Sequence, residues 1–248
     1  MIPPTSIDGT DITGATIDGT DVQEITVDGD VVFSAAPDIV AKGNLVYWLP
    51  FDGNINDVTA GDSSYGDTTD YTGVANNVSF VSSPIISPLS GQTQQASSYD
   101  GSTSEIDLGD NALNVDTYCF WANPSSTFGN VYGDDSGSDR GHTYVVGTDT
   151  FGLVTGGANT LINETTSGWN HFALTDTNIF KNGVDRTTHT GAPLSSSNDY
   201  IGRRDFGQFS DYYTGEIADF RWYNRKLSNS EIQQIVQNTQ DPSNPVFP

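Results

Sequence analysis

The sequence predicts an all-β sandwich, and three features of the chain lead to this fold class. Short runs of Val, Ile, Tyr and Phe recur between clusters of Gly, Asn, Asp and Ser, a pattern typical of strands separated by turns. Apolar residues make up 35% of the 248 residues, enough for a sizeable core. Apart from one segment near the carboxyl end, no long stretch shows the apolar spacing of a helix. A chain of this length accommodates one large β domain and a small appendage.

The amino-terminal segment repeats a short pattern in which Asp-Gly lies between β-branched residues. The copies occupy residues 7–12, 17–22 and 27–32 and therefore follow a ten-residue period. Asp-Gly in this setting indicates a tight turn, so we predict three hairpins. So short a segment can scarcely bury a core alone. We therefore predict that residues 1–36 form an oligomerisation or attachment stem, with a decorative hairpin on the main domain as the alternative, and that residues 37–44 form a linker.

The strands of the main domain are predicted within residues 45–240. The opening strand contains Val46, Tyr47, Trp48 and Leu49, and a polar loop rich in Gly and Asp follows it. Further strand-like runs have the same mixture of β-branched and aromatic residues bounded by Gly, Asn or Asp. They lie within residues 99–110, 118–121, 169–174, 180–183 and 200–202.

The carboxyl end of this region reads as a final strand that continues into a short helix. Residues 215–223 show rough alternation of apolar and polar side chains, as in a half-buried strand. Ser228 and Glu231 then have the S-x-x-E spacing of a capping box, and Leu227 and Ile232 flank it as a hydrophobic staple. The buried stripe of the helix is predicted to comprise Ile232, Ile235 and Val236.

This ordered set of motifs resembles the laminin-G-like, concanavalin A-like jelly rolls over residues 45–240. In that family a stretch of the form G-x-I-D-x-x-x-x-Y-N-x-x-L-S-x-x-E-I closes the domain, and residues 215–232 are similar to it. The resemblance implies a two-sheet jelly-roll sandwich with a short carboxyl-terminal helix. The chain departs from the family at Ala218-Asp219, where two acidic residues are common. Residues 241–248 are predicted to form an extended tail.

The charge of the chain is strongly negative, with 32 acidic and 9 basic residues and a net charge of -23. Such a charge repels phosphates and anionic headgroups, so we expect no nucleic acid partner. The acidic excess is spread along the whole chain, which indicates adaptation to molar salt, where the Debye length falls to about 3 Å. High solubility is the alternative explanation. The first residues show no positive segment and no apolar core of signal-peptide length, and no run reaches membrane-spanning length, so we expect assembly in the cytoplasm and no membrane insertion.

Nucleophilic and zinc chemistry have little support in the sequence. Cys119 is the only cysteine and lies in an apolar strand, so we predict a buried, inert thiol. The three histidines show no spacing that suggests a triad or a zinc site. His171, between Trp169 and Phe172, is predicted to be a strand residue with a structural partner.

One acidic motif raises the question of glycan hydrolysis. Glu105, Asp107 and Asp110 form E-x-D-x-x-D, which approaches the carboxylate cluster of concanavalin-type glucanases. The third acid is a shorter Asp that follows the turn at Gly109, and the laminin-G-like pattern already accounts for these residues as an ordinary strand end. We therefore predict a protein that is not an enzyme.

The loop after the opening strand is a candidate calcium site. Residues 52–57 supply several side-chain oxygens, which hard cations prefer as ligands. The resemblance brings this loop close to the closing strand, so the predicted calcium ligands are Asp52, Asp57 and Asp219. The alternative is that acidic loops abound simply because the whole chain is acidic. No other cofactor is expected.

Two stretches carry the side chains that sugar-binding sites use, namely residues 130–142 and 203–213. Such sites stack a pyranose ring on an aromatic side chain and surround it with polar groups. The arginine pair of the second stretch could bind an acidic sugar or could form salt bridges with nearby acidic residues. The predicted ligand-binding residues are Tyr132, Arg140, His142, Arg203, Arg204, Phe206, Phe209, Tyr212 and Tyr213.

Together these features predict a non-enzymatic surface protein of a halophilic virus particle. The amino-terminal repeats resemble short β modules at the ends of virion proteins of tailed viruses. The domain would serve in a capsid turret, a capsid decoration or a tail fibre, where it would recognise a glycan of the host surface or mediate adhesion. The expected partners are further copies of the chain through residues 1–36, other virion proteins and a host glycan. The alternatives are a purely structural decoration protein, a cellular glycan-binding adhesin and a glycan hydrolase.

Overall fold

The computed structural model describes the backbone of the chain with several gaps. The described ranges are residues 39–51, 53–67, 69, 73–89, 93–109, 115–125, 128–134, 140–146, 150–155, 158–163, 168–188, 199–206 and 209–240, together with short strands within residues 6–34. Side chains are described within residues 39–51, 53–67, 69, 73–89, 94–109, 115–125, 129–133, 162, 168–186, 200–204 and 211–240.

Three antiparallel strand pairs occupy the amino-terminal segment. Each pair brackets one of the Asp-Gly steps, so the three predicted hairpins are confirmed. The role of residues 1–36 as a stem stays a prediction. The pairs are β1 (Ser6–Ile7) with β2 (Thr10–Asp11), β3 (Thr16–Ile17) with β4 (Thr20–Asp21), and β5 (Glu24–Val27) with β6 (Asp30–Ser34).

The remaining strands and one α-helix form the main domain, and a short 3-10 helix at Lys42–Asn44 precedes its first strand. The strands are β7 (Leu45–Leu49), β8 (Val74–Asn76), β9 (Ser79–Ile86), β10 (Thr93–Asp100), β11 (Glu105–Gly109), β12 (Thr117–Pro124), β13 (Phe128–Asp134), β14 (Arg140–Val146), β15 (Thr150–Thr155), β16 (Ala158–Asn163), β17 (Asn170–Thr175), β18 (Asn178–Lys181), β19 (Val184–Thr188), β20 (Asp199–Ile201), β21 (Arg203–Phe206), β22 (Phe209–Tyr212) and β23 (Thr214–Tyr223). The helix is α1 (Asn229–Thr239).

Two antiparallel sheets make a sandwich, as predicted. The eight-stranded sheet has the order β19-β18-β17-β12-β23-β10-β9, and β7 also pairs with β23. The seven-stranded sheet has the order β16-β15-β14-β13-β20-β11-β8. The predicted closing strand, β23, lies near the centre of the first sheet. One of its edges pairs with β12, and the other is shared by β10 and by the predicted opening strand, β7.

The core between the sheets follows from side-chain alternation along each strand. On β12, Tyr118 and Phe120 belong to the cluster between the sheets, whereas Cys119 and Trp121 belong to clusters on the outer face of the eight-stranded sheet. Both faces of β12 are therefore buried, which explains its nearly continuous apolar run. From the seven-stranded sheet, Ile106 and Ile201 join the same inner cluster.

The outer face of the eight-stranded sheet is covered by α1 and by the segment before and after β7. Val40 is buried in one cluster with Leu45 and Ile232. The prediction that residues 37–44 form a linker is thus wrong for Val40, because this apolar side chain contributes to the core of the sandwich unit.

Helix α1 begins as its sequence predicts. The Ser228 hydroxyl accepts a hydrogen bond from the Glu231 N–H, and the Glu231 carboxylate accepts one from the Ser228 N–H, so the capping box is complete. Leu227 is buried in the same cluster as Ile232 and Ile235, and Val236 is buried against the neighbouring cluster. Among the described residues, no helix has the length and apolar character needed to cross a bilayer.

Candidate functional site

The outward face of the seven-stranded sheet brings polar and aromatic side chains together. On β11, Ile106 and Leu108 point into the core, so Glu105 and Asp107 point to the opposite face. Strand pairing places Asn76 of β8 beside Glu105 and Tyr200 of β20 beside Asp107. Residues from three separate parts of the sequence therefore meet on one surface.

Arg203 is the centre of this surface. Its Nη1 atom donates to Glu105 Oε2 at 2.5 Å, and Glu105 Oε1 accepts a bond from Asn76 Nδ2 at 3.1 Å. The guanidinium carbon lies 4.8 Å from the ring centroid of Tyr200 and 5.5 Å from that of Tyr212. These are cation–π distances. We refer to Asn76, Glu105, Tyr200, Arg203 and Tyr212 as the arginine–tyrosine cluster.

The ion pair of this cluster is more buried than its aromatic rings. The side chains of Arg203 and Glu105 are only 16% and 12% exposed. Tyr200 and Tyr212 are half-buried, so part of each residue remains accessible to solvent. A shielded charge pair therefore holds two partly accessible tyrosines in place.

A glycine lets the hairpin of β21 and β22 lie close to the sheet. Gly133 pairs with Tyr200, and a Cβ atom at Gly133 would lie 2.8 Å from the Cβ atom of Arg204 and 3.0 Å from the carbonyl oxygen of Arg203. Any larger residue at position 133 would push the hairpin away. Within the hairpin, Arg204 lies directly opposite Asp211. Each arginine of this pair thus has an acidic residue beside it.

Three of the predicted glycan-binding residues lie at this surface, and two do not. Arg203, Arg204 and Tyr212 are in or next to the cluster. Tyr132 and Tyr213 are wrong as ligand contacts, because they are 4% and 1% exposed within the core between the sheets. Tyr132 packs against Tyr118, Phe220 and Trp222, and Tyr213 packs edge-on against Tyr99.

The side chains of the remaining predicted contacts lie outside the described residues. Arg140 and His142 belong to β14, Phe206 to β21 and Phe209 to β22, but only the backbone of these positions is described. Their roles stay predictions.

Sequence reasoning missed Asn76 and Tyr200, and it considered Glu105 only as a catalytic acid. The alternation of Glu105, Ile106 and Asp107 was a usable signal for an outward carboxylate pair. In the structure Glu105 is bound by Arg203 and Asn76, and Asp107 Oδ1 accepts a hydrogen bond from the Gly109 N–H at 2.8 Å. Asp110 lies outside the described residues.

The described members of the predicted calcium site have protein partners. Asp57 Oδ1 accepts hydrogen bonds from the Trp48 N–H at 3.1 Å and from the Thr59 N–H at 3.0 Å. Asp219 Oδ1 accepts bonds from Trp48 Nε1 and from Arg221 Nε. Within the described residues, no group of three or more His, Cys, Asp or Glu side chains could hold a metal ion. Asp57 and Asp219 therefore do not fit calcium in this arrangement, and Asp52 lies outside the described residues.

Cys119 and His171 are both fully buried on the outer face of the eight-stranded sheet. The prediction of a buried thiol at Cys119 is confirmed, and burial raises its pKa to about 12, as expected for an inert thiol. The His171 ring lies edge-on to Trp121 at 5.3 Å, and neither ring nitrogen has a hydrogen-bond partner in the part of the chain that the structure describes. Burial, assisted by the positive charge of Arg221, lowers the pKa of His171 to about 3.

Comparison with known proteins agrees with this architecture. Residues 99–233 match the Laminin_G_3 family model, described as the concanavalin A-like lectin/glucanases superfamily. A search of curated proteins finds no match.

Three solved structures have a similar fold. The first is domain 4 of AbnA, a GH43 extracellular arabinanase from Geobacillus stearothermophilus, in complex with arabinotriose. It is 15% identical with a TM-score of 0.57, and the match covers 78% of this chain and 98% of that domain. The binding domain of Paraclostridial Mosquitocidal Protein 1 is 12% identical with a TM-score of 0.56, and the match covers 79% of this chain and 52% of that one.

The third is a structure of botulinum neurotoxin type C, whose cell entry depends on interaction with two ganglioside molecules. It is 13% identical with a TM-score of 0.54, and the match covers 79% of this chain and 51% of that one. The chain therefore spans about half the length of these two toxin structures. At these identities the likeness concerns the fold alone.

Proposed function

The chain belongs to the Laminin_G_3 family of the concanavalin A-like lectin/glucanases superfamily, and from this premise we propose that its sandwich is a non-enzymatic module that binds glycans through the arginine–tyrosine cluster. One observation carries the proposal: Arg203 is bound to Glu105 and at the same time lies at cation–π distance from Tyr200 and Tyr212.

This arrangement has the physical properties of a sugar-binding surface. A pyranose ring stacks its C–H groups on an aromatic face, while its hydroxyl groups need nearby donors and acceptors. Tyr200 and Tyr212 offer the rings, and Asn76 and Asp107 offer polar groups on the same face of the sheet. Because Arg203 and Glu105 hold the rings in place, little side-chain entropy is lost when a ligand binds.

Two of the structures with a similar fold have sugar ligands in their descriptions, arabinotriose for the arabinanase domain and gangliosides for the type C neurotoxin. They support a glycan as the class of ligand, and they do not indicate which glycan this chain would bind.

A binding role suits the acidic residues better than hydrolysis does. Glycosidases need two carboxyl groups on opposite sides of the scissile bond, one of which donates a proton. Here Glu105 is engaged by Arg203 and Asn76, and Asp107 is engaged by the Gly109 N–H. Both also lie on one strand and one face.

We further propose that this module is displayed on the surface of a halophilic virus particle, as a capsid decoration or tail fibre. The support is the regular hairpin segment before the domain and the net charge of -23. A purely structural decoration protein and a cellular adhesin are the competing roles. The identity of neighbouring genes tests this part of the proposal, because genes for capsid, portal or tail proteins beside this one would support it and a purely cellular neighbourhood would contradict it.

Glycan-array binding of the full chain and of tyrosine variants tests the binding role. Tyr200→Ala and Tyr212→Ala should each weaken binding about tenfold, since each removes one stacking surface. Tyr212→Phe keeps the ring and is the matched control, and Arg186→Ala changes an exposed arginine on β19 of the other sheet. Both controls should bind nearly as the unmodified protein does. Equal binding by both alanine variants would contradict the proposed site.

A further inference from the structure

We infer that the glycan bound at the arginine–tyrosine cluster is uncharged, and that this surface discriminates against sugars that carry carboxylate or sulfate groups. The inference rests on the proposed function and specifies its ligand class. It also decides between the two roles that the sequence left open for the arginine pair, which were recognition of an acidic sugar and salt bridging within the protein.

The charge of Arg203 is already compensated inside the protein. Its guanidinium and the Glu105 carboxylate are in direct contact at 2.5 Å, and both side chains are largely shielded from water. A ligand carboxylate would have to compete with Glu105 for the same donors, in surroundings where breaking the ion pair leaves a charge without a partner. The Arg203 guanidinium therefore has a structural role, which is to position Tyr200 and Tyr212.

The second arginine also has an acidic residue as its neighbour across the hairpin. Arg204 and Asp211 are directly opposed across the hairpin of β21 and β22, a position in which opposite charges attract. The Gly133 contact keeps the backbone of Arg204 against the sheet. Arg204 and Asp211 together therefore add no net charge to this region.

Asp107 gives the charged side chains that the structure describes at this surface a net negative charge. It lies beside Tyr200 on the outward face of the sheet and is half-buried. Two arginines, Arg203 and Arg204, face three carboxylates, Glu105, Asp107 and Asp211, so these residues carry one net negative charge. A carboxylate or sulfate of a sugar that stacks on Tyr200 would approach Asp107 and be repelled by it.

A neutral sugar gains from the same groups. Asp107 uses Oδ1 for the Gly109 N–H, and its second oxygen can accept bonds from sugar hydroxyls. Hydrogen bonds from hydroxyls to a carboxylate are stronger than those to a neutral acceptor. Asn76 adds an amide that both donates and accepts. The surface thus offers hydrogen-bond acceptors, while its arginines lie beside acidic residues of the protein. Such a surface fits a ligand that carries hydroxyl donors and no anionic group.

Paired glycans that differ only by an acidic group test this inference with the full chain. Each neutral oligosaccharide on an array, such as lactose or arabinotriose, is compared with a sialylated, uronylated or sulfated counterpart at the lowest salt concentration in which the protein stays folded. We expect the neutral member of each bound pair to bind at least about tenfold more tightly. The ratio should shrink as salt is raised, because the repulsion is screened.

Two variants test whether the preference for neutral glycans arises from the charge of Asp107 at this surface or from the negative charge of the protein as a whole. Asp107→Asn should narrow the ratio between neutral and acidic ligands, whereas Asp185→Asn, at an exposed position on β19 of the other sheet, should leave the ratio unchanged. Equal or tighter binding of the acidic members would overturn the inference and leave the proposed function standing. Failure to bind any glycan would overturn both. A preference for neutral glycans that Asp107→Asn leaves unchanged would overturn the inference, and glycan binding that Tyr212→Ala also leaves unchanged would place the binding site elsewhere.

Discussion

Asp219 and Arg221 form a buried ion pair within one strand, in which Oδ2 of Asp219 lies 2.8 Å from Nη2 of Arg221. The side chain of Asp219 is 0% exposed and that of Arg221 is 1% exposed. Trp48 Nε1 donates to Asp219 Oδ1 at 2.7 Å, and the Arg221 guanidinium carbon lies 4.6 Å from the Trp48 ring. The pair thereby ties β23 to β7. A bulge opposite β12 and a positive φ of 53° at Asp219 accompany this arrangement.

We expect Arg221→Met to destabilise the fold by about 3–5 kcal/mol, because it leaves the Asp219 carboxylate buried without its counter-charge. Urea denaturation measures the loss. The double variant Asp219→Asn with Arg221→Met should recover part of it, since Asn keeps the shape of Asp and tolerates a positive φ. A loss below about 1 kcal/mol in the single variant would show that the pair contributes little.

The pH dependence of stability should carry a contribution from His171. The ring has a pKa of about 3 in the folded state, below the usual 6.5. Between these values the unfolded chain binds a proton that the folded chain does not, so lowering the pH destabilises the fold by up to about 1.4 kcal/mol per pH unit. Above about pH 6.5 the ring is neutral in both states and the contribution vanishes.

His171→Leu isolates this effect, because the many carboxylates titrate alike in both proteins. Melting of the two proteins should be compared at pH 7.5 and at pH 4.5. The variant should be at least as stable at the higher pH, where it removes two buried nitrogens without partners, and its advantage should grow at the lower pH. A difference between the two proteins that is the same at both pH values would show that His171 does not titrate in the unfolding equilibrium.

The parts of the fold that depend on neighbouring residues were predictable from the sequence. The capping box of Ser228 and Glu231 and the stripe of Ile232, Ile235 and Val236 act within a few residues of one another, so their spacing alone indicated helix α1. The three Asp-Gly hairpins are local for the same reason.

The features that depend on register were not predictable. Arg203 meets Glu105 across 98 residues of sequence, and their contact requires the pairing of β11 with β20. Tyr132 was predicted to contact a ligand because it lies in a stretch rich in polar residues, whereas the structure places it on β13, where the register shifts between Asn130 and Tyr132. One such shift moves a side chain from one face of a sheet to the other.

Salt should stabilise the protein. With a net charge of -23, repulsion among carboxylates grows as screening weakens, and the Debye length rises from about 3 Å at molar salt to about 30 Å at 0.01 M. We expect the melting temperature to fall steadily during dialysis from molar to millimolar NaCl, and we expect sucrose at equal osmolality not to replace the salt. A melting temperature that does not change with NaCl concentration over this range would contradict the hypothesis that the protein is adapted to molar salt.

Deletion of residues 1–36 should yield a folded monomer, while the full chain should assemble into a larger species. The three hairpins leave strand edges that can pair with other copies, and they are too short to form a core of their own. The cut preserves Val40, which packs on the sandwich. Deletion of residues 1–44 is the matched comparison. It also removes Asn44, whose side chain bonds Arg225 and Asn224, so this shorter chain should melt at a lower temperature. Light scattering in molar salt measures the masses, and an unchanged higher-order mass for residues 37–248 would contradict a stem that drives assembly.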